Sequence, residues 1–261
     1  MRMARFKTRE GKIKQGLVQG DGVSVVRGDF CGRWSETRER LPLKEVTLLA
    51  PVAPPNILCL GRNYKAHAEE SGDNVPKAPL LFIKATTTVI GPEAPIVIPK
   101  AAPTQVDYEA ELAVVIKRAA RHVAESEALD CVLGYTCGHD VSARDCQHGD
   151  GQWARAKSFD TFCPLGPWIE TDLDPGNLRV RGRCNGQVMQ DASTALMIFS
   201  MPYVISYLSR CMTLLPGTVL MTGTPAGVGF VRQPPVWLHP GDVFEVDIEG
   251  IGVLRNPVVG E

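Results

Sequence analysis

Acidic and apolar residues alternate along Val106-Asp107-Tyr108-Glu109-Ala110-Glu111-Leu112-Ala113-Val114-Val115-Ile116. Successive side chains of a β-strand face opposite sides, so Asp107, Glu109 and Glu111 would share one face of a strand and leave the other face apolar. Buried carboxylates on one face repel each other, and a hard divalent cation relieves that repulsion. The pattern leaves two interpretations open: a buried metal-binding strand, or an edge strand with a solvated acidic face.

Outward from this segment, short apolar runs predict further strands, and amphipathic runs predict only a few helices. The predicted strands are 13–19, 23–26, 56–60, 80–84, 96–98, 108–116, 134–141, 178–184, 219–222, 243–248 and 252–255. Helices are predicted at 64–70, at 142–147 and, with Ser200 as N-cap and Pro202 in the first turn, at 203–212.

The composition agrees with a strand-rich protein. The chain has 261 residues, of which 44% are hydrophobic and 22% charged, and its 25 glycines and 20 prolines indicate many turns. We therefore expect an α+β fold. The proline-rich segment 49–55 predicts a boundary between a small N-terminal domain, 1–50, and a catalytic domain, 51–261.

Charge and hydropathy exclude several classes of protein. A net charge of -1 argues against a nucleic-acid partner, and the basic excess of residues 1–50, with 11 Lys/Arg against 6 Asp/Glu, is interpreted as a solvated face. No run reaches the roughly 18 apolar residues that span a bilayer, and no secretory signal begins the sequence. We expect a cytoplasmic protein that does not bind membranes and whose eight cysteines form no disulfide.

A second group of polar residues follows the predicted strand 134–141. Asp140 lies near the end of that strand, and Arg144, Gln147 and Lys157 come soon after it. Each of these residue types, taken alone, is most often found on the surface.

Histidine and glutamate occur together in the predicted helix 64–70. His67 and Glu70 are three residues apart and would share a helix face, where a carboxylate orients an imidazole as a general base. The spacing alone favours an ordinary surface helix over a catalytic pair. The Pro- and Gly-bearing stretch from His67 to Ile83, which carries both residues, predicts a mobile lid.

A glycine-rich loop, Gly223-Thr224-Pro225-Ala226-Gly227-Val228-Gly229, follows the predicted strand 219–222. It is neither a dinucleotide fingerprint nor a Walker A motif. We interpret it as a loop whose backbone approaches a small ligand.

Five motifs in this order resemble the fumarylacetoacetate hydrolase family. They are G-R-N-Y-x-x-H-x-x-E, D-Y-E-x-E-L, D-x-x-x-R-D-x-Q, Lys157-Ser158-Phe159-Asp160 and G-T-P-x-G-V-G. The resemblance covers about residues 51–260, and residues 1–50 resemble the small N-terminal domain of bacterial members. It implies a strand-rich mixed roll or sandwich that assembles as a homodimer.

The resemblance also assigns roles to residues. Glu109, Glu111 and Asp140 would bind Mg²⁺ or Mn²⁺, with Ca²⁺ as a further candidate, whereas Asp107 would be structural. His67 and Glu70 would form a catalytic dyad, assisted by Lys157. Arg144, Gln147 and Thr224 would line the pocket of a small oxo-acid substrate.

The leading function from the sequence is metal-dependent hydrolysis of a C–C bond in an acylpyruvate-like diketo acid, through a metal-stabilised enolate. The same scaffold serves isomerisation or decarboxylation of a hydroxymuconate-type dioate from aromatic-acid breakdown, and oxaloacetate decarboxylation or tautomerisation. A catalytically silent ligand-binding relative is the third alternative.

Overall fold

The computed structural model describes residues 1–261, and it is built mainly of strands. The first half contains β1 Arg2–Lys7, β2 Ile13–Gln19, β3 Gly22–Gly28, β4 Trp34–Pro42, β5 Thr47–Leu49, β6 Ile57–Gly61, β7 Leu80–Lys84, β8 Val89–Ile90, β9 Ile96–Ile98, β10 Val106–Asp107 and β11 Ala110–Ile116. The second half contains β12 Val132–His139, β13 Ser142–Ala143, β14 Cys163–Glu170, β15 Arg179–Cys184, β16 Gln187–Ser193, β17 Val219–Met221, β18 Val243–Ile248 and β19 Gly252–Gly260.

Helices are few and short. They are α1 Lys65–Glu70, α2 Arg144–Asp150 and α3 Met201–Cys211. At α3 the predicted start is confirmed, since the Ser200 hydroxyl accepts from the Tyr203 amide at 3.4 Å and Pro202 lies in the first turn. None of the helices is long and apolar enough to cross a membrane.

The strands form one large sheet, one five-stranded sheet and a two-stranded pair. The large sheet has the order β4-β3-β2-β1-β14-β12-β11-β17-β6-β7, with β5 paired to β1 and β8 paired to β14. The smaller sheet has the order β16-β15-β18-β19-β9, and β10 pairs with β13. This mixed, strand-rich architecture confirms the predicted fold class.

Strand β11 lies in the middle of the large sheet, antiparallel to both β12 and β17. All seven of its residues are buried, so the edge-strand interpretation with a solvated acidic face is wrong. The predicted continuous strand is also interrupted at Tyr108 and Glu109. The Asp107 carboxylate accepts from the Tyr108 amide at 2.8 Å, which takes that amide out of the strand ladder.

Residues 1–50 are joined to the rest of the protein through the large sheet. Strand β1 pairs with β14, and Met3 and Leu17 pack in one core cluster with Ile57 and Leu165. The buried members of a second, smaller cluster, which include Phe6 and Val23, all come from residues 1–50, and Trp168 of β14 packs against them. We propose a domain boundary at residue 51, between two parts that share one apolar core cluster.

The sequence missed β14, which contains Pro164, Gly166 and Pro167. These residues usually interrupt strands, but Pro164 lies where β14 pairs with the two-residue strand β8. Strands β7, β9 and β18 have the predicted bounds. All eight cysteines are unpaired, and six of them are buried.

Substitution of Phe6 tests the small core of residues 1–50. Phe6 is fully buried, so Phe6→Ala should lower the free energy of unfolding by about 3–5 kcal/mol. Ile13→Ala, on the exposed end of β2, is the control and should change it by about 0.5 kcal/mol or less. Urea unfolding followed by tryptophan fluorescence measures both; equal stability of the two variants would contradict the role of this cluster.

Candidate active site

Three acidic side chains converge where β11 begins and β12 ends. Glu109 directly precedes β11, and Glu111 is the second residue of that strand. Asp140 directly follows β12, and its amide donates to the Glu109 carbonyl at 3.0 Å. Carboxylate oxygens of Glu109, Glu111 and Asp140 lie within 4.8 Å of one another. All three side chains are buried, and we call them the acidic triad.

Buried cations surround two members of the triad. Lys157 Nζ contacts Glu109 Oε2 at 2.9 Å and Asp140 Oδ2 at 2.8 Å. Arg144 Nη2 contacts Glu109 Oε1 at 2.7 Å. On the other side of Asp140, Lys84 Nζ contacts Oδ1 at 2.5 Å and donates to the Val141 carbonyl at 3.2 Å.

Glu111 is the member of the triad that forms no ion pair. Its Oε2 accepts from the Gly223 amide at 2.9 Å. Burial, together with the neighbouring carboxylates of Asp140 and Glu109, raises the pKa of Glu111 well above its usual value. Burial opposes ionisation of Glu109 too, but Lys157 and Arg144 outweigh it and hold the pKa of Glu109 below its usual range.

This donor set fits a divalent cation. Three carboxylates are the hard oxygen ligands that Mg²⁺ and Mn²⁺ prefer, and Glu111 lacks the counter-charge that its burial demands. Glu109, Glu111 and Asp140 would therefore hold the ion.

Asp107 does not belong to this group, although alternation along one strand predicted a shared face. The chain leaves the strand conformation between Asp107 and β11, and the Asp107 carboxylate is engaged elsewhere. It accepts from Arg144 Nε at 2.8 Å and from the Gly229 amide at 2.7 Å. Asp107 thus fixes Arg144 and the glycine-rich loop, in agreement with the structural role expected for it.

The helix α1 carries His67 and Glu70 on one face, as predicted. His67 Nδ1 lies 2.9 Å from Glu70 Oε1, and the Gly227 amide donates to both Glu70 oxygens at 3.0 and 2.9 Å. Because a carboxylate only accepts, this contact selects the tautomer of the neutral imidazole that has its proton on Nδ1 and its lone pair on Nε2. The glycine-rich loop therefore orients Glu70, and Glu70 orients the imidazole.

Arg144, Gln147 and Thr224, the three residues predicted to bind substrate, line one cavity. Arg144 Nη1 donates to Gln147 Oε1 at 2.8 Å. The Thr224 hydroxyl donates to the Ala110 carbonyl at 3.1 Å and accepts from Gln190 Nε2 at 2.7 Å. Gln190 comes from β16 of the smaller sheet, so both sheets build the site.

A cavity of about 220 Å³ joins these groups. Such a volume is below the usual range for drug-sized ligands, which indicates a small substrate. The predicted residues that line it are His67, Glu109, Arg144, Gln147, Lys157 and Thr224. Residues that the sequence analysis missed include Arg62, Ser71, Asp73, His148, Trp153 and Phe230.

The missed residues had weak signals in the sequence. For Lys84, the available signal was a lysine at the end of an otherwise apolar predicted strand. The structure shows that this lysine is buried. Arg62 belongs to the first motif but was given no role. Trp153 and Phe230 lie in irregular segments without periodicity, so their contact with the cavity depends on tertiary packing.

The predicted lid consists of two parts with different burial. Tyr64, His67 and Ala68 are buried, so the dyad is already seated beside the cavity. Residues 72–78 are exposed or half-buried and contain no helix or strand. The Gly72 and Asp73 amides still donate to carbonyls of α1, so mobility is expected of residues 74–78 rather than of α1.

The fold and this arrangement of acidic, basic and imidazole groups define a class of strand-rich proteins with a metal-compatible acidic site. The model of the fumarylacetoacetate (FAA) hydrolase C-terminal domain matches residues 56–259, and an Rv2993c-like N-terminal model matches residues 1–51. The chain belongs to the fumarylacetoacetate hydrolase family.

Individual relatives share most of the chain. Protein Rv2993c of Mycobacterium tuberculosis is 49% identical over 84% of this chain and 80% of its own length. The mitochondrial oxaloacetate tautomerase FAHD2A of Bos taurus is 45% identical over 93% of this chain and 78% of its own. The crystal structure of a 5-carboxymethyl-2-hydroxymuconate delta-isomerase from Mycobacterium smegmatis is 42% identical, covers 100% of both chains and superposes with a TM-score of 0.91. Family members are thus enzymes that include isomerases and tautomerases.

Glu111→Gln tests the acidic triad. The side-chain oxygen of the variant can still accept from the Gly223 backbone amide. A neutral side chain also avoids the burial penalty that opposes ionisation of Glu111, so the metal-free variant should be at least as stable as the parent. Mn²⁺ at about 100 times its Kd should stabilise the parent by about 2.7 kcal/mol but the variant far less.

Thermal unfolding with and without Mn²⁺ measures both effects. Asp130→Asn, at an exposed carboxylate away from the site, is the control and should respond to the metal like the parent. Equal stabilisation of the Glu111→Gln variant by Mn²⁺ would contradict the assignment.

Hydrogen exchange over residues 62–78 tests the lid. In the free protein, exchange should be fast at 74–78 and slower at Ala68 and Asp73, whose amides donate to the Tyr64 carbonyl at 3.1 Å and to the Ala68 carbonyl at 2.9 Å. Oxalate with Mg²⁺ should slow exchange at 74–78. Slow exchange there without ligand, unchanged on binding, would show that this segment is no lid.

Proposed function

We propose that the protein is a divalent-metal-dependent enzyme that moves a proton at the carbon next to the carbonyl of a small 2-oxo dicarboxylic acid, with keto–enol tautomerisation of oxaloacetate as the reaction to test first. The observation that carries this proposal is the shared cavity, in which an oriented imidazole base and the Glu109–Lys157 ion pair line the same small volume. The oxaloacetate tautomerase among the relatives supports the choice of substrate.

The electrostatics of the site favour an anionic substrate. Four buried carboxylates, Asp107 and the acidic triad, face three buried cations, Lys84, Arg144 and Lys157. A divalent ion at the triad would change the balance to one net positive charge. When bound, the ion would also polarise the substrate carbonyl and stabilise the enolate.

His67 supplies the proton transfer. Its Nε2 holds the free lone pair and His67 lines the cavity, so Nε2 takes the proton from the carbon and returns it to carbon or oxygen. Glu70 stabilises the imidazolium that forms, and the Gly227 amide holds Glu70 in place. Lys157, with its cation between Glu109 and Asp140, offsets negative charge that develops on the substrate.

Hydrolysis of a C–C bond in an acylpyruvate-like diketo acid is the second candidate. The same observation favours it, because His67 Nε2 can take a proton from water as well as from carbon. Isomerisation of a hydroxymuconate-type dioate requires proton transfer alone and is supported by the isomerase among the solved structures. We also propose that the protein assembles as a homodimer. The ligand proposed for this site is a small oxo acid.

A kinetic panel separates these reactions. Enolic oxaloacetate, an acylpyruvate and a hydroxymuconate-type dioate are followed by ultraviolet absorbance with Mg²⁺, with Mn²⁺ and with EDTA. We expect the fastest metal-dependent change with oxaloacetate. Turnover of the acylpyruvate alone would favour the hydrolase, and no turnover with any metal would favour a silent binding protein.

Substitutions in α1 test the dyad. His67→Ala should lower kcat by about 100-fold or more, because it removes the base, and should leave Mn²⁺ binding unchanged. Glu70→Gln should lower kcat less, since its amide oxygen can still accept from His67 or Gly227. Glu69→Gln, exposed on the same helix, is the matched control. Parental turnover by the His67→Ala enzyme would rule out the dyad.

A further inference from the structure

Arg62 differs from the other two cations that line the cavity. Arg144 holds Asp107 and Glu109, and Lys157 holds Glu109 and Asp140, all through buried ion pairs. Arg62 instead pairs with a single carboxylate, with 2.8 Å between Nη2 and Asp73 Oδ2. The two side chains are 31% and 35% exposed, so water screens their attraction. A ligand anion therefore replaces the partner of Arg62 more easily than that of Arg144 or Lys157.

The surroundings of Arg62 hold it at the cavity. It follows β6 with a φ of 57°, a left-handed conformation that is uncommon for residues other than glycine and clusters at ligand sites. Its guanidinium lies 5.5 Å from the centre of the Trp153 ring. Trp153 packs so tightly on Gly61 that a Cβ there would come within 2.5 Å of the indole. The indole is thus a fixed support for the guanidinium.

Asp73 is placed to compete with a ligand for Arg62. Asp73 also lines the cavity, and its amide donates to the Ala68 carbonyl at 2.9 Å at the end of α1. Because that bond holds the backbone, rotation of the Asp73 side chain is enough to release the guanidinium.

We infer that Arg62 binds the second carboxylate of a dicarboxylate substrate, displaces Asp73 and thereby selects 2-oxo dicarboxylates over monocarboxylates. The inference rests on the proposed function for the reactive end of the substrate, which lies with His67 and Glu109. Arg62 lines the same cavity and supplies the counter-charge that the far carboxylate requires.

Binding of L-malate and L-lactate with Mg²⁺, measured by titration calorimetry, tests this inference. The two acids share a 2-hydroxy acid group and neither enolises readily, but malate has a second carboxylate. The parent should bind malate more tightly than lactate. Arg62→Met should weaken malate binding about 10- to 100-fold, the usual effect of losing a charge-assisted hydrogen bond, and leave lactate binding within about 3-fold.

Asp73→Asn should strengthen malate binding, the opposite of the effect expected for Arg62→Met. Without the competing carboxylate, Arg62 is free and malate should bind about 2- to 5-fold more tightly. Arg62→Lys should recover part of the malate preference. Lys65→Met, which removes an exposed cation outside the cavity, is the control and should alter neither affinity.

A purely structural Arg62–Asp73 pair gives a different result. In that case each variant, Arg62→Met or Asp73→Asn, would change the affinities for malate and lactate in the same direction, and that result would overturn the inference. Equal affinities of the parent for malate and lactate would also overturn it. Unchanged KM for oxaloacetate in Arg62→Met, with turnover retained, would overturn this inference alone. An Arg62-dependent malate preference without any turnover of oxaloacetate would support it and overturn the proposed function.

Discussion

Burial of seven charged side chains around the first residues of β11 is the constraint on which the structure depends. Asp107, the acidic triad, Lys84, Arg144 and Lys157 are all nearly inaccessible to water. Burying an unpaired charge costs several kcal/mol, so each carboxylate needs a fixed cation, amide or metal partner. The partners come from distant parts of the chain, and the fold is the arrangement that brings them together.

That constraint explains why the site is rigid where chemistry is expected. Asp107 holds Arg144 and the amides of Gly229 and Phe230, and Gly227 of the same loop holds Glu70. The loop thus connects the charge cluster to helix α1. Glu111 is the exception, since it has an amide partner but no cation, and this single uncompensated position makes the acidic triad suited to a divalent ion.

Specificity has a different physical basis from reactivity in this cavity. The inner charges are paired and buried, so they hold their geometry whatever ligand is present. Arg62 and Asp73 are about one-third exposed, and Asp73 directly precedes residues 74–78. A screened, exchangeable ion pair can respond to the substrate, whereas a buried one cannot do so without a large desolvation cost.

Local pattern was sufficient for much of this protein, because turn residues, apolar runs and helix caps act over a few neighbours. It predicted β7, β9, β18 and α3, and the pairing of His67 with Glu70. It also indicated Glu109 and Glu111 as candidate metal ligands. Motif order indicated the family. The tertiary structure decided that β11 is central, that Asp107 lies outside the acidic triad and that β14 is a strand despite its prolines. It also decided that Lys84, Arg62 and Trp153 belong to the site. These features depend on contacts between residues far apart in the chain, and no local periodicity encodes such contacts.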